Sequence, residues 1–94
     1  MTNPDCLFCK IVRGEVPAVR LLEDDVTLAF LDIGPIVKGH TLVIPKFHYD
    51  PLMATPDEVL ARVIRTARRI ACALVAGLGA DGINLHQSNG AAAG

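Results

Sequence analysis

The clearest pattern in the sequence is a stripe of apolar residues between about Pro56 and Leu78. Its members recur at steps of three and four residues, which is the spacing of one face of an α-helix. Thr55 and Glu58 match a capping box, Pro56 suits a first helical position, and Gly79 favours a helix end. The sequence therefore predicts one long helix, and its apolar stripe consists of Val59, Leu60, Val63, Ile64, Ala67, Ile70, Ala71, Leu74, Val75 and Leu78.

Short runs rich in apolar and β-branched residues flank this helix and predict β-strands. A turn at residues 23–25 separates the first two strands, and a turn at residues 80–82 precedes the last. The predicted strands are residues 19–22, 26–31, 41–44 and 83–87.

A short helix is expected over residues 6–13, with Asp5 as its cap and Gly14 at its end. The predicted order is then α-β-β-β-α-β with short connections. This order favours an antiparallel sheet covered by the long helix, which is an α+β fold. A length of 94 residues limits the chain to a single domain.

Composition narrows the class of protein. Hydrophobic residues make up 51% of the chain and the mean hydropathy is +0.39, which excludes disorder over most of its length. So apolar a composition indicates either an oligomer interface or a missing polar part. The net charge of −1 gives no basic field to recruit nucleic acid or an anionic membrane. The longest apolar stretch, residues 70–80, is about half of the ~20 residues that a transmembrane helix needs. No secretory signal is visible at the N-terminus, so the expected location is the cytoplasm.

Cys6 and Cys9 form a C-x-x-C pair that has two functional interpretations. A thioredoxin-type redox pair needs a strand that leads into the motif, and only five residues precede Cys6. A structural zinc site needs four ligands. His48, at the end of a predicted strand, is a suitable third ligand, whereas neither His40 nor His86 has a spacing that compels a fourth. Two unpaired structural thiols remain the alternative.

Other polar residues have ordinary structural explanations beside functional ones. Asp32, at a strand end, suits either an Asx turn or a carboxylate that accepts hydrogen bonds from sugar hydroxyls. Cys72 is expected to be a small buried residue. The arginines opposite the apolar stripe, Arg62 among them, are expected on a solvated face rather than at a phosphate site. No P-loop or dinucleotide-binding fingerprint is present.

Taken in order, several segments resemble the histidine triad (HIT) family, specifically its Hint-like nucleotide-binding branch. The matching segments are residues 6–18 (CLFCKIVRGEVPA), 29–33 (AFLDI), 35–46 (PIVKGHTLVIPK), 79–84 (GADGIN) and 89–94 (NGAAAG). The resemblance implies a nucleotidyl hydrolase or transferase that acts on purine nucleoside phosphoramidates or related substrates. A histidine of the family's H-x-H-x-H motif attacks the α-phosphate and forms a nucleotidyl-histidine intermediate.

The sequence ends at Gly94, where the resemblance places the start of that histidine strand. No catalytic residue is therefore assigned, because His40, His48 and His86 do not alternate on one strand. We expect a C-terminally incomplete HIT-like domain, inactive by itself and with an unpaired sheet edge. The alternative is a non-catalytic nucleotide-binding domain or a zinc-stabilised interaction domain.

The resemblance also implies roles for individual residues. His40 would belong to the outer network of the active site, and Ser88 lies where many relatives carry an amide side chain near the phosphate. Asp32 would bind the ribose hydroxyls. Zn²⁺, as a structural ion, would be held by Cys6, Cys9 and His48, with its fourth ligand beyond Gly94. The residues implied around the base and sugar are Phe8, Phe30, Leu31, Ile33 and Leu42, and family members are commonly homodimers.

Overall fold

The structure, a computed structural model of the chain, describes residues 6–31, 40–49, 52–87 and 89. Its elements confirm the predicted α+β class. In chain order they are helix α1 (Leu7–Val12), strands β1 (Arg20–Glu23), β2 (Thr27–Leu31) and β3 (Thr41–Pro45), a short 3-10 helix (Leu52–Ala54) and helix α2 (Asp57–Leu78).

The three strands form an antiparallel sheet in the order β1-β2-β3. Along β2 and β3, Thr27 lies opposite Pro45 and Phe30 lies opposite Leu42. The first three predicted strands are thus confirmed to within one residue at each end.

The central strand β2 is buried because helices cover both faces of the sheet. Alternate residues of a strand point to opposite faces. Leu28 and Phe30 pack with Ile11 of α1 on one face. On the other face, Thr27 Oγ1 lies 2.9 Å from Thr66 Oγ1 of α2, and both side chains are buried.

Both helices end at glycines in the left-handed region, Gly14 (φ 79°) and Gly79 (φ 68°), as the sequence predicts. The predicted helix starts are wrong by one residue. Pro56, not Thr55, occupies the N-cap position of α2, where its side chain makes no capping hydrogen bond. In α1 the N-cap is Cys6, because its Sγ accepts a hydrogen bond from the Cys9 N–H at 3.4 Å. The expected cap Asp5 lies outside the described residues.

Two further expectations are wrong. Residues 83–87 form no strand, since no described strand pairs with them. Cys72 is exposed, because it lies two positions after Ile70 and therefore about 200° around α2 from it. The apolar stripe of α2 is only partly covered, and Ile64, Val75 and Leu78 remain about half exposed. None of the described helices has the length and apolar content to cross a membrane.

Candidate functional site

Helix α1 and the loop after β3 bring two thiols and an imidazole together. Cys6 and Cys9 are three positions apart at the start of α1, so their side chains lie on one face. His48 follows the end of β3 and reaches the same point. The possible ligand atoms of Cys6, Cys9 and His48 all lie within 4.8 Å of one another, and Cys9 Sγ is 3.4 Å from His48 Nδ1. The structure thus assembles the three residues that the sequence analysis grouped.

Hydrogen bonds favour the ionised form of one thiol in this cluster. Partial burial raises the pKa of Cys6, but the Cys9 N–H, the Cys9 and His48 side chains and the Phe8 N–H outweigh it, so the pKa is lowered overall. Thiolates, rather than thiols, bind metals. Cys9 is buried, Cys6 is half-buried and His48 is exposed, so the cluster is open to solvent on the His48 side.

The donor set fits zinc. Zn–S distances near 2.3 Å and Zn–N distances near 2.0 Å place neighbouring ligand atoms of a tetrahedral site about 3.5 Å apart. The separation between Cys9 Sγ and His48 Nδ1 is 3.4 Å, which is close to this value. Two sulfurs and an imidazole favour zinc over the harder cations calcium and magnesium. Neither His40 nor His86 belongs to the cluster among the described residues.

A small apolar surface lies beside this cluster on the α1 face of the sheet. The rings of Phe8 and Phe30 are 6.3 Å apart between centroids and tilted by 50°. Leu42 lies opposite Phe30 on β3 and packs against the same core. Phe30 is buried, whereas Phe8 is 42% exposed, so its ring is available for contact with a ligand.

The remaining residues implied for the nucleotide are not gathered at this surface by the described part of the chain. Leu31 is half-buried and follows Phe30, so its side chain points to the opposite face, where Thr41 is its strand partner. Asp32, Ile33 and Ser88 lie outside the described residues.

A groove of about 530 Å³ runs between β3 and residues 82–86, with α2 as its floor. The floor is apolar and combines the small side chains of Ala67 and Ala71 with the larger Leu74. His40 and His86 also line it. Within the described residues, β3 is the last strand of the sheet and pairs only with β2. The groove therefore lies along the side of β3 that faces away from β2.

Ion pairs fix the β1–β2 turn, and sequence reasoning missed them. Arg62, expected on a solvated face, pairs with Asp24 at 3.2 Å and Asp25 at 2.7 Å. Lys46 Nζ donates to the Asp24 carbonyl oxygen at 2.8 Å and pairs with Glu23 at 2.6 Å. The consecutive acidic residues at a turn were the only signal in the sequence. This network joins the turn to α2 and β3, which is a structural role.

Asp24 organises the turn itself. Its Oδ1 accepts hydrogen bonds from the N–H groups of Val26 and Thr27, each at 2.8 Å. Those two bonds are the largest cause that lowers the pKa of Asp24 to about 2, and Arg62 adds to it. The carboxylate is therefore ionised at all ordinary pH values.

These features define a class: a small α+β domain with a Cys-Cys-His cluster at the start of its first helix and an aromatic surface beside it. Comparison with known protein families identifies the family to which this domain belongs. The HIT domain family matches residues 13–94, most of the chain. The chain belongs to the HIT family, as the resemblance in its sequence implied.

Named relatives come from several kingdoms. The adenylylsulfatase HINT3 of Arabidopsis thaliana is 49% identical over 90 residues, which are 96% of this chain and 46% of that protein. The adenosine 5'-monophosphoramidase HNT1 of Saccharomyces cerevisiae is 42% identical over 85 residues, 90% of this chain and 51% of its own length. The chain thus spans about half the length of these two relatives.

Solved structures share the fold closely. A HIT family protein from Bacillus anthracis superposes with a TM-score of 0.94 at 41% identity, covering 99% of this chain and 66% of that one. A zinc-bound histidine triad family protein from Mycobacterium smegmatis gives a TM-score of 0.90 at 48% identity, covering 95% and 65%. In this chain, the Cys6, Cys9 and His48 cluster is the group whose donor atoms could hold a metal ion among the described residues.

Proposed function

We propose that these 94 residues form the nucleotide-binding part of a HIT-family hydrolase or transferase that acts on purine nucleoside phosphoramidates or related compounds. The observation that carries the proposal is the aromatic surface of Phe8 and Phe30 in a chain of this family. Relatives named adenylylsulfatase and adenosine 5'-monophosphoramidase support a substrate built on adenosine monophosphate.

Each part of the nucleotide has a proposed partner. Phe8, Phe30 and Leu42 contact the base, since an exposed ring next to a buried one offers a stacking surface. Asp32 accepts hydrogen bonds from the ribose hydroxyls, for which an acceptor-only carboxylate is suited. Leu31 and Ile33 complete the sugar environment, Ser88 lies near the phosphate, and His40 belongs to the surrounding network.

None of the histidines in this sequence is assigned as the nucleophile. The family's reaction needs a histidine that attacks the α-phosphorus, forming a P–N bond as the leaving group departs, before water restores the imidazole. His40, His48 and His86 are 8 and 38 residues apart in succession, so none alternates with another along one strand. We propose that these residues alone bind the nucleotide without turnover, and that a histidine-bearing strand beside β3 completes the enzyme. The groove of about 530 Å³ beside β3 supports this placement.

Zinc is the proposed cofactor, held by Cys6, Cys9 and His48 with one further ligand. The ion would cross-link the start of α1 to the loop after β3 and so steady the helix that carries Phe8. The alternative function, a zinc-stabilised interaction domain without a nucleotide, is favoured by the same cluster. The exposed apolar residues of α2 support the proposed homodimer, and a cytoplasmic location stays a prediction.

Binding of adenosine monophosphate, measured by calorimetry, tests the nucleotide proposal. Asp32→Ala is expected to weaken binding about tenfold or more, because hydrogen bonds to a charged group contribute about 1.5–3 kcal/mol. Asp25→Ala is the matched control, since Asp25 is an exposed carboxylate whose ion-pair partner is Arg62. Absence of heat at millimolar nucleotide would overturn the proposal.

The zinc content of the purified protein tests the alternative function, a zinc-stabilised interaction domain, separately from nucleotide binding. Purified protein should carry close to one zinc per chain, and Cys6→Ser should lose most of it while Cys72→Ser keeps it. A metal-free, fully folded protein rules out zinc as a structural element, whatever the result with nucleotide. Zinc binding without any nucleotide binding would favour the interaction domain.

A further inference from the structure

The Cys-Cys-His cluster contains a pair of thiols with unequal access to solvent. Cys6 Sγ and Cys9 Sγ lie within 4.8 Å of each other at the start of α1. Cys6 is half-buried and Cys9 is buried. A small oxidant from solvent therefore meets Cys6 first, and Cys9 is the thiol placed behind it.

The local geometry favours a bond between these two sulfurs. Residues three apart on a helix face the same side, so rotation about the Cys side-chain torsions moves one sulfur toward the other without moving the backbone far. The Cys9 N–H already holds Cys6 Sγ over the first turn of α1. Cys72, the third cysteine, lies in α2 and does not belong to the cluster.

We propose that Cys6 and Cys9 are a modification site at which hydrogen peroxide forms an intramolecular disulfide. The sulfur of Cys6 attacks peroxide, so that an S–O bond forms, the O–O bond breaks and one water is released. Cys9 Sγ then attacks the sulfenic sulfur of Cys6; the S–S bond forms as the S–O bond breaks, and the Cys9 proton leaves with the hydroxyl as a second water. The two thiols lose two electrons, which reduce one peroxide.

The disulfide would prevent zinc binding at this cluster. This part of the inference rests on the proposed zinc site. Both sulfurs leave the donor set, because a disulfide does not supply thiolate ligands. Only His48 remains of the three residues, and one imidazole does not retain a structural zinc ion. Oxidation and zinc binding at this cluster therefore exclude each other.

Peptide mapping tests the disulfide directly, because trypsin separates Cys72 from the Cys6–Cys9 pair. Cleavage after Lys10 leaves Cys6 and Cys9 together in residues 1–10, whereas Cys72 falls in the peptide that follows Arg69. Metal-free protein is treated with hydrogen peroxide, alkylated and digested. We expect residues 1–10 to become about 2 Da lighter than the reduced peptide and to resist alkylation at both cysteines, with at least about a tenfold increase of this form over the untreated protein. Dithiothreitol should reverse the change.

Variants supply the controls. Cys72→Ser should behave like the parent chain, while Cys9→Ser should lose the lighter peptide and instead gain oxygen at Cys6. Residues 1–10 alkylated at both cysteines after peroxide, or oxygen added at the cysteines of the parent chain, would overturn the inference. Met1 lies in the same peptide, and fragment ions distinguish oxygen added at a cysteine from oxygen added at Met1.

Zinc release tests the coupling separately. Zinc-loaded protein is treated with peroxide in the presence of a chromogenic chelator, and released zinc is expected to rise in proportion to the disulfide. Zinc that stays bound to the disulfide form would overturn the coupling. A chain that never binds zinc would refute the proposed metal site, yet the peptide result would still decide the disulfide.

Discussion

Replacement of Asp24 by alanine should destabilise the fold, because the Asp24 side chain holds the β1–β2 turn together. The substitution removes the acceptor of the Val26 and Thr27 N–H groups, each bonded at 2.8 Å, and an ion pair to Arg62 at 3.2 Å. Hydrogen bonds to a charged group contribute about 1.5–3 kcal/mol each. The Asp24 side chain is 35% exposed, so water screens it and takes over part of the hydrogen bonding in the variant. We therefore expect a loss of about 2–3 kcal/mol in the free energy of unfolding, at or below the lower end of the roughly 3–6 kcal/mol that two full bonds would give.

Equilibrium unfolding in urea at neutral pH measures this loss, with Asp25→Ala as the matched variant. Asp25 is 80% exposed and contacts the same Arg62, so its removal should change stability little. Equal effects of the two substitutions would refute the assignment of the stabilisation to the Asp24 hydrogen bonds.

The pH dependence of a second variant, Asp24→Asn, tests the sign of the effect. A carboxylate whose pKa is lowered in the folded chain stabilises the fold above its unfolded pKa of about 3.9, and this contribution is lost as pH falls. The folded pKa of Asp24 is about 2. The difference in stability between the parent chain and Asp24→Asn should therefore be full above pH ~5 and shrink between pH ~4 and ~2. A difference that grows in acid would contradict the argument.

Three further substitutions test the core and the aromatic surface. Leu28→Ala should cost about 3 kcal/mol in urea unfolding, because the side chain is fully buried in β2; a loss below about 1 kcal/mol would contradict that packing. Thr66→Val should cost about 1–2 kcal/mol by leaving the Thr27 hydroxyl without this partner, and the double Thr27→Val, Thr66→Val variant should recover part of it; additive losses would argue against the bond. Phe8→Ala should weaken nucleotide binding several-fold in calorimetry with circular dichroism unchanged; unaltered affinity would remove Phe8 from the binding surface.

Local periodicity predicted the elements that have a packing partner nearby. Helix α2 and strands β1 to β3 follow from apolar spacing because α2 lies on the sheet that the strands form. Residues 83–87 have the composition of a strand, yet no described strand pairs with them, and composition cannot supply a partner. Cys72 shows the same limit: its apolar neighbourhood in sequence says nothing about which side of α2 faces solvent.

The candidate site was predictable in its residue types and not in its geometry. Spacing indicates the Cys6–Cys9 pair, and position after a strand suggested His48, but only the fold sets the 3.4 Å contact across 39 residues. The Arg62 ion pairs to the β1–β2 turn likewise join residues 37 and 38 positions apart. Contacts at such separations depend on how elements pack, which local pattern does not encode.

The most direct test of the proposed function is a phosphorus NMR titration of adenosine 5'-monophosphoramidate with the zinc-loaded 94-residue chain. One experiment reports both binding, as a shift or broadening of the ligand signal, and turnover, as a new signal from adenosine monophosphate. We expect saturable binding that Asp32→Ala weakens, with no product formed. Product formation by the parent chain, or an unchanged ligand signal at millimolar concentration, would contradict it.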